Sequence, residues 1–211
     1  MDTLKYILEK YKLQPNRMPT EIPNMGRADL PTLFNELGFK IGAEIGVLAG
    51  EYSELLCKGI PGLHLNGIDA WKIYWPDYRD YKVQSRLDAE YELAIKRLAP
   101  YAVKIIRKMS MKAVEQFDDG SLDFVYIDGN HEYPFVTLDL IHWSKKVRTG
   151  GIVAGHDYYE TKAKNSRCHV IPALQGYVRA YKIWPWFVIG TKAMNPGETR
   201  DRSRSWMFVK E

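Results

Sequence analysis

The sequence predicts one α/β domain over residues 1–211, with a doubly wound, seven-stranded sheet, mostly parallel, and helices on both faces. Three observations predict it. Short, continuously apolar segments alternate with amphipathic ones between residues 41 and 154, the pattern of a parallel sheet covered on both sides. Two late apolar segments flank the turn-rich Asn195-Pro196-Gly197, which reads as an antiparallel hairpin at the sheet edge. Four of the five parallel candidates end in polar residues, namely Glu44 with Gly46, Asp69, Asp128 with Gly129, and His156 with Asp157. Carboxyl ends of strands are where such sheets bind ligands.

The elements follow in order. Residues 1–40 form a helical lead-in. Leu4, Ile7, Leu8 and Tyr11 recur at helical spacing, and Pro15 and Pro19 end that helix. Asp29 caps a second helix before Pro31, with Leu33, Phe34 and Leu37 turned inward and Gly38 closing it. The parallel strands are 41–45, 63–68, 102–106, 124–127 and 151–154, separated by helices from about Ser53, Asp88, Met111 and Pro134. A helix over 172–181 leads to strands 186–189 and 206–209.

Composition narrows the function classes. At 45% hydrophobic and 27% charged residues, this is an ordinary globular chain. The net charge of +4 is uneven, with ten Lys and Arg against four Asp and Glu from Tyr158 on. That tail reads as a solvated face with some preference for an acidic ligand, and nucleic acid is not an expected partner. Cys57 and Cys168 make neither a metal spacing nor a disulfide framework, and Cys57 falls on an apolar helix face. Charges run through the first dozen residues and no apolar run approaches membrane-spanning length, so a cytoplasmic protein without a membrane partner is expected.

The segment 43–53 reads as strand, glycine turn and helix start, with Asp69 one strand later. Glycines there let the backbone approach a ligand, and a strand-end carboxylate can hold both ribose hydroxyls. Gly42, Gly46 and Gly50 are spaced by four, which is not the Gly-x-Gly-x-x-Gly of a dinucleotide site, and no Gly-Lys-Ser/Thr follows for a triphosphate. Acidic groups on both sides of the turn suit a ligand with an ammonium, a sulfonium and a ribose, and repel phosphates.

On these segments the chain resembles the class I S-adenosylmethionine-dependent methyltransferases, with their Rossmann-like fold, and within them the small-molecule and sugar O-methyltransferases. The resemblance spans about residues 26–210. It rests on Glu44-Ile-Gly46-Val-Leu-Ala-Gly50-Glu-Tyr-Ser53, Gly67-Ile-Asp69-Ala70-Trp71, residues 121–131, Gly150-Gly-Ile-Val-Ala-Gly-His156-Asp157 and the terminal 206–210 strand. It implies an S-adenosyl-L-methionine site made by Glu44, Gly46, Gly50, Ser53, Asp69, Ala70, Trp71, Ser110 and Asp128. Glu44 and Gly46 would hold the methionine part and Asp69 the ribose. Ser110 sits where the family contacts the adenine, although Met109 precedes it where an acidic residue is often found. Trp71 would pack on the adenine or wall the acceptor pocket.

Methyl transfer to oxygen needs alignment of donor and acceptor and a route for the hydroxyl proton. Metal-dependent relatives place an acid after each of the fourth and fifth strands, where this chain has Asp128 and Asp157. With His156 as third ligand the site would hold Mg²⁺ or a softer divalent cation such as Mn²⁺, Fe²⁺ or Zn²⁺. Some sugar-modifying relatives have an acidic base two residues after the first acid; here Asn130 stands there and His131 follows. His131, with an ordinary pKa near ~6.5, suits a general base. Two mechanisms are therefore open: a metal on Asp128 and Asp157 assisted by His131 or His156, or one of these histidines acting alone. His64 and His142 read as structural.

The acceptor is expected to be a small molecule, a sugar or acidic glycoside. It would be walled by aromatic residues of 71–81 and by 158–169, with Arg79, Lys162, Lys164 and Arg167 for an acidic group. The same aromatic segments suit a homo-oligomer contact. Alternatives are a donor-binding protein without catalysis and an N-methyltransferase; the Asn/Asp-Pro-Pro-Tyr type of motif used on amino groups is absent after the fourth strand.

Overall fold

A computed structural model describes residues 2–74, 83–160, 167–192 and 195–211. Its elements in chain order are α1 (Thr3–Lys10), β1 (Thr20–Ile22), α2 (Leu30–Glu36), β2 (Ile41–Ile45), α3 (Glu51–Gly59), β3 (His64–Asp69), α4 (Gln84–Leu98), β4 (Val103–Arg107), α5 (Ser110–Ala113), β5 (Leu122–Ile127), α6 (Tyr133–Lys146), β6 (Val147–Gly155), α7 (Val170–Ala180), β7 (Trp186–Ile189) and β8 (Ser205–Val209).

The strands form one sheet in the order β1-β7-β8-β6-β5-β2-β3-β4. From β2 the chain moves outward to β3 and β4, then returns to the other side of β2 for β5 and β6. That reversal opens a crevice at the carboxyl ends of β2 and β5. Strand alternation builds the two core layers. Val125 and Ile127 of β5 join Val136, Leu140 and Trp143 of α6 on one face. Phe124 and Tyr126 turn to the other, among Leu33, Phe34 and Leu56 of α2 and α3. Cys57 lies in this second layer, as its apolar setting predicts. Gly42 is required against this second layer, because a Cβ there would lie 2.2 Å from the Phe124 ring.

Two features depart from the sequence reading. The sheet has eight strands, since Thr20–Ile22 of the lead-in pairs in parallel with β7. Three residues between Pro19 and Pro23 are too short to show an alternation. The expected antiparallel pair of β7 and β8 forms beside β6 toward this end of the sheet, with β1 added outside β7. Hydrophobic pattern marks strands but not their lateral order. Asp29 stands at the start of α2, but its carboxylate accepts the Gly26 N–H at 2.8 Å and makes no cap bond to the helix. Among the described residues, no helix is long and apolar enough to cross a membrane.

Candidate active site

β2 delivers Glu44 and then turns sharply at Gly46, whose φ is +94°. A Cβ on Gly46 would lie 2.1 Å from the Asp128 carbonyl oxygen, so two strand ends meet here at a distance only glycine allows. Gly50, at φ +77°, precedes the first turn of α3. Ser53 on that turn is buried, and its hydroxyl donates to Glu44. Glu44 is 1% exposed. Burial first, then Asp128 and Asp69, push its carboxyl up to about 8, against the hydrogen bond from Ser53 and the charge of Arg27.

Asp69 ends β3 and pins the glycine turn. Its Oδ2 accepts the N–H groups of Val47 and Leu48 at 3.1 and 3.0 Å, and its Oδ1 that of Trp71 at 2.8 Å. A carboxylate has about four acceptor directions, so these bonds leave room for a ligand hydroxyl. Trp71 is a correction. It is fully buried and does not line the cleft; its indole N–H donates to the Leu48 carbonyl at 2.9 Å, and its ring packs edge-on to Tyr91. Trp71 supports the turn from behind, while Ala70 and Lys72 beside it face the cleft.

After β4, Ser110 begins α5. Its hydroxyl accepts the indole N–H of Trp143 at 2.8 Å and donates to Asp139 of α6. Asp139 is 4% exposed and has no cation among its hydrogen-bond partners. Burial pushes its carboxyl up to about 7 in spite of the Ser110 bond.

β5 and β6 bring the chemistry-bearing residues together. Asp128 divides its oxygens. Oδ2 takes the Arg27 Nη2 at 2.6 Å, while Oδ1 lies 3.4 Å from His131 Nε2 and 3.8 Å from His156 Nδ1. Asp157, at the left-handed φ of +58°, offers Oδ2 to His131 Nε2 at 2.9 Å and Oδ1 to His156 Nδ1 at 3.5 Å. Burial alone would lower His131, but the bonds to Asp128 and Asp157 outweigh it and push the imidazole up to about 10. Burial alone would raise Asp157, yet His131 and His156 hold it well below the usual carboxylate range. With no cation between them, the two carboxylates therefore favour the protonated imidazole of His131.

Asp128, His131 and Asp157 each offer one ligand atom, all within 4.8 Å of one another. The third ligand of that group is His131, where the sequence suggested His156. The donor set, two carboxylates and an imidazole, fits a divalent cation that takes oxygen and nitrogen. His64 and His142 do not line the cleft.

One cleft of about 640 Å³ is lined by Arg27, Glu44, Gly46, Asp69, Ser110, Asp128 and His131 among others, with His156 and Asp157 outside its lining. Tyr74 and Phe135 stand at its other wall with their rings edge to face, and the Asn130 amide donates to the Tyr74 hydroxyl at 3.2 Å. The expected pocket residues Trp75, Tyr78, Arg79 and Tyr81, and Lys162 and Lys164, lie outside the described residues. Arg167 pairs with Glu132 at 3.0 Å.

Sequence reasoning missed Arg27 and Asp139. Arg27 meets Asp128 across 101 positions, and no local pattern announces it. Asp139 had a signal: a carboxylate between Leu138 and Leu140 at an inward position of a helix.

Residues 43–158 match the family described as a methyltransferase domain. No curated protein matches the chain. Among solved structures, the chain is similar to the O-methyltransferase from Bacillus cereus in complex with SAH. The TM-score is 0.63 at 14% identity, covering 100% of this chain and 91% of that one. It is also similar to the O-methyltransferase TomG from Streptomyces achromogenes, involved in tomaymycin synthesis and solved with SAM. There the TM-score is 0.60 at 17% identity, with the same coverage of 100% and 91%. At these identities the likeness is one of fold.

Proposed function

We propose that this chain, which belongs to the methyltransferase-domain family, transfers the methyl group of S-adenosylmethionine to a hydroxyl oxygen of a small molecule, a sugar or glycoside. The observation that carries the reading is the single cleft in which Glu44, Gly46, Asp69 and Ser110 line one stretch and Asp128 and His131 the next. A donor laid along the strand ends has its methionine part at Glu44 and Gly46, its ribose on Asp69 and its adenine toward Ser110. The acidic lining of this stretch, Asp69 and Asp128, suits a positively charged sulfonium.

The acceptor oxygen attacks in line. Its bond to the methyl carbon forms as the carbon–sulfur bond breaks, and the electron pair stays on sulfur to give neutral S-adenosylhomocysteine. The hydroxyl proton must leave, and Asp128 opens onto the cleft where that oxygen would lie. His131, which lines the cleft, and His156, whose Nδ1 lies within 3.8 Å of both Asp128 and Asp157, are the two imidazoles beside that carboxylate. Asp128, His131 and Asp157 would hold the divalent cation. When bound, it lowers the pKa of a hydroxyl it touches. His131 must then give up its proton, since imidazole ligands bind neutral. Tyr74 and Phe135 offer flat apolar faces with one polar tip, a surface suited to a sugar.

The test is transfer of a labelled methyl group from S-adenosylmethionine to a panel of sugars, glycosides and phenols. Product methylated at oxygen, lost on chelation and restored by a divalent cation, supports the reading. Product methylated at nitrogen, or no product from a protein that binds the donor, overturns it.

A further inference from the structure

We infer that Arg27 is the receptor for the carboxylate of the donor's methionine part, so that the N-terminal lead-in completes the donor site. The inference rests on the donor reading above and deepens it. The methionine end of the donor carries an ammonium and a carboxylate. The groups facing that end from β2 and β5 are Glu44 and Asp128, which suit the ammonium and repel the carboxylate. Among the described residues, the cations lining the cleft are Arg27, Lys72, Lys108 and His131. Lys72 follows β3 and Lys108 follows β4, toward the ribose and adenine, and His131 is held by two carboxylates. Arg27 is the one beside Glu44 and Asp128.

The guanidinium is held before any ligand arrives. Its central carbon lies 4.1 Å from the Tyr52 ring centroid and 5.2 Å from that of Tyr126, and Nη2 donates to Asp128. The backbone behind it is fixed as well. The Arg27 carbonyl accepts the Tyr52 hydroxyl at 3.3 Å, and Gly26 packs so closely on Thr199 that a Cβ would come within 2.7 Å. Yet the guanidinium uses few of its donors. It has five N–H groups, its bond to Asp128 uses one, and Nε is buried with no partner. A fixed, under-used guanidinium fork against an acidic wall is suited to a ligand carboxylate, which it can grip with two parallel bonds. Among the described residues, Asp128 is the one hydrogen-bond acceptor of this guanidinium.

The experiment compares S-adenosylmethionine with its decarboxylated form, which keeps the ammonium, sulfonium and nucleoside. The wild-type protein should prefer the carboxylate-bearing donor by about tenfold to a hundredfold, as a charged hydrogen-bonded pair implies. Arg27→Ala should lose that preference, with decarboxylated donor bound within about threefold of wild type. Arg27→Met keeps an apolar stem against Tyr52 and Tyr126 and should behave alike if truncation harms folding. Arg27→Lys should restore part of the preference. Equal losses for both ligands, or no preference in the wild-type protein, would overturn the inference while leaving the donor reading intact. Failure of the wild-type protein to bind either ligand would remove both.

Discussion

Asp139 gives the sharpest stability prediction. Its carboxyl is buried, receives one hydroxyl from Ser110, and rises from the ordinary 3.8 to about 7. That rise disfavours the anion in the folded protein by about 4 kcal/mol, an upper value if water enters with the charge. The folded protein holds its proton to higher pH than the unfolded chain. The site's stability is therefore fullest below about pH 4, falls as pH climbs through about 7, and then levels off. Asp139→Asn keeps an oxygen for the Ser110 hydroxyl and carries no charge. Urea unfolding of both proteins at about pH 4 and about pH 8 should show near equality in acid. At the higher pH the variant should be more stable, by up to about 4 kcal/mol. Other carboxylates cancel in the difference. A variant no more stable than wild type at the higher pH, or a gap that does not change with pH, would refute the reasoning.

Other consequences can be checked together. Gly46→Ala forces the ends of β2 and β5 apart and should cost at least about 1–3 kcal/mol of stability and abolish donor binding; a variant that binds normally would mean the close approach is dispensable. Glu44, pushed up to about 8, is mostly protonated at neutral pH, and a ligand ammonium beside it favours the anion. Binding should then release a proton near pH 7, seen as a dependence of the binding heat on the buffer's ionisation enthalpy, and affinity should rise with pH toward about 8. Asp157→Asn should leave donor affinity within about threefold while turnover falls at least a hundredfold, measured by titration and by product formation. Asp128→Asn cannot serve the same purpose, because it also releases Arg27.

The first half of the cleft is legible in the chain because it is local. A continuously apolar strand, a glycine and a carboxylate within a few residues place Glu44, Gly46 and Asp69 at the carboxyl ends of adjacent strands. The same patterning placed Asp128 and Asp157 side by side, since β5 and β6 are adjacent and parallel. What escaped is long-range or non-periodic. β1 is too short to have a period, and the place of β8 between β6 and β7 is a choice among neighbours that alternation does not encode. Trp71 has the same residue type whether it walls a pocket or fills a core; only the bond from its indole to Leu48 decides. His131 has an ordinary pKa in isolation, and of its two partners Asp128 is three residues away while Asp157 arrives from the end of β6. Arg27 needed the docked lead-in.

The most direct test of the account is calorimetric titration of S-adenosylhomocysteine into the wild-type protein, with thermal unfolding alongside. The account predicts one site of about micromolar affinity and a raised melting temperature. An absence of heat together with an unchanged melting temperature would contradict it, and would leave the strand-end cleft without its proposed ligand.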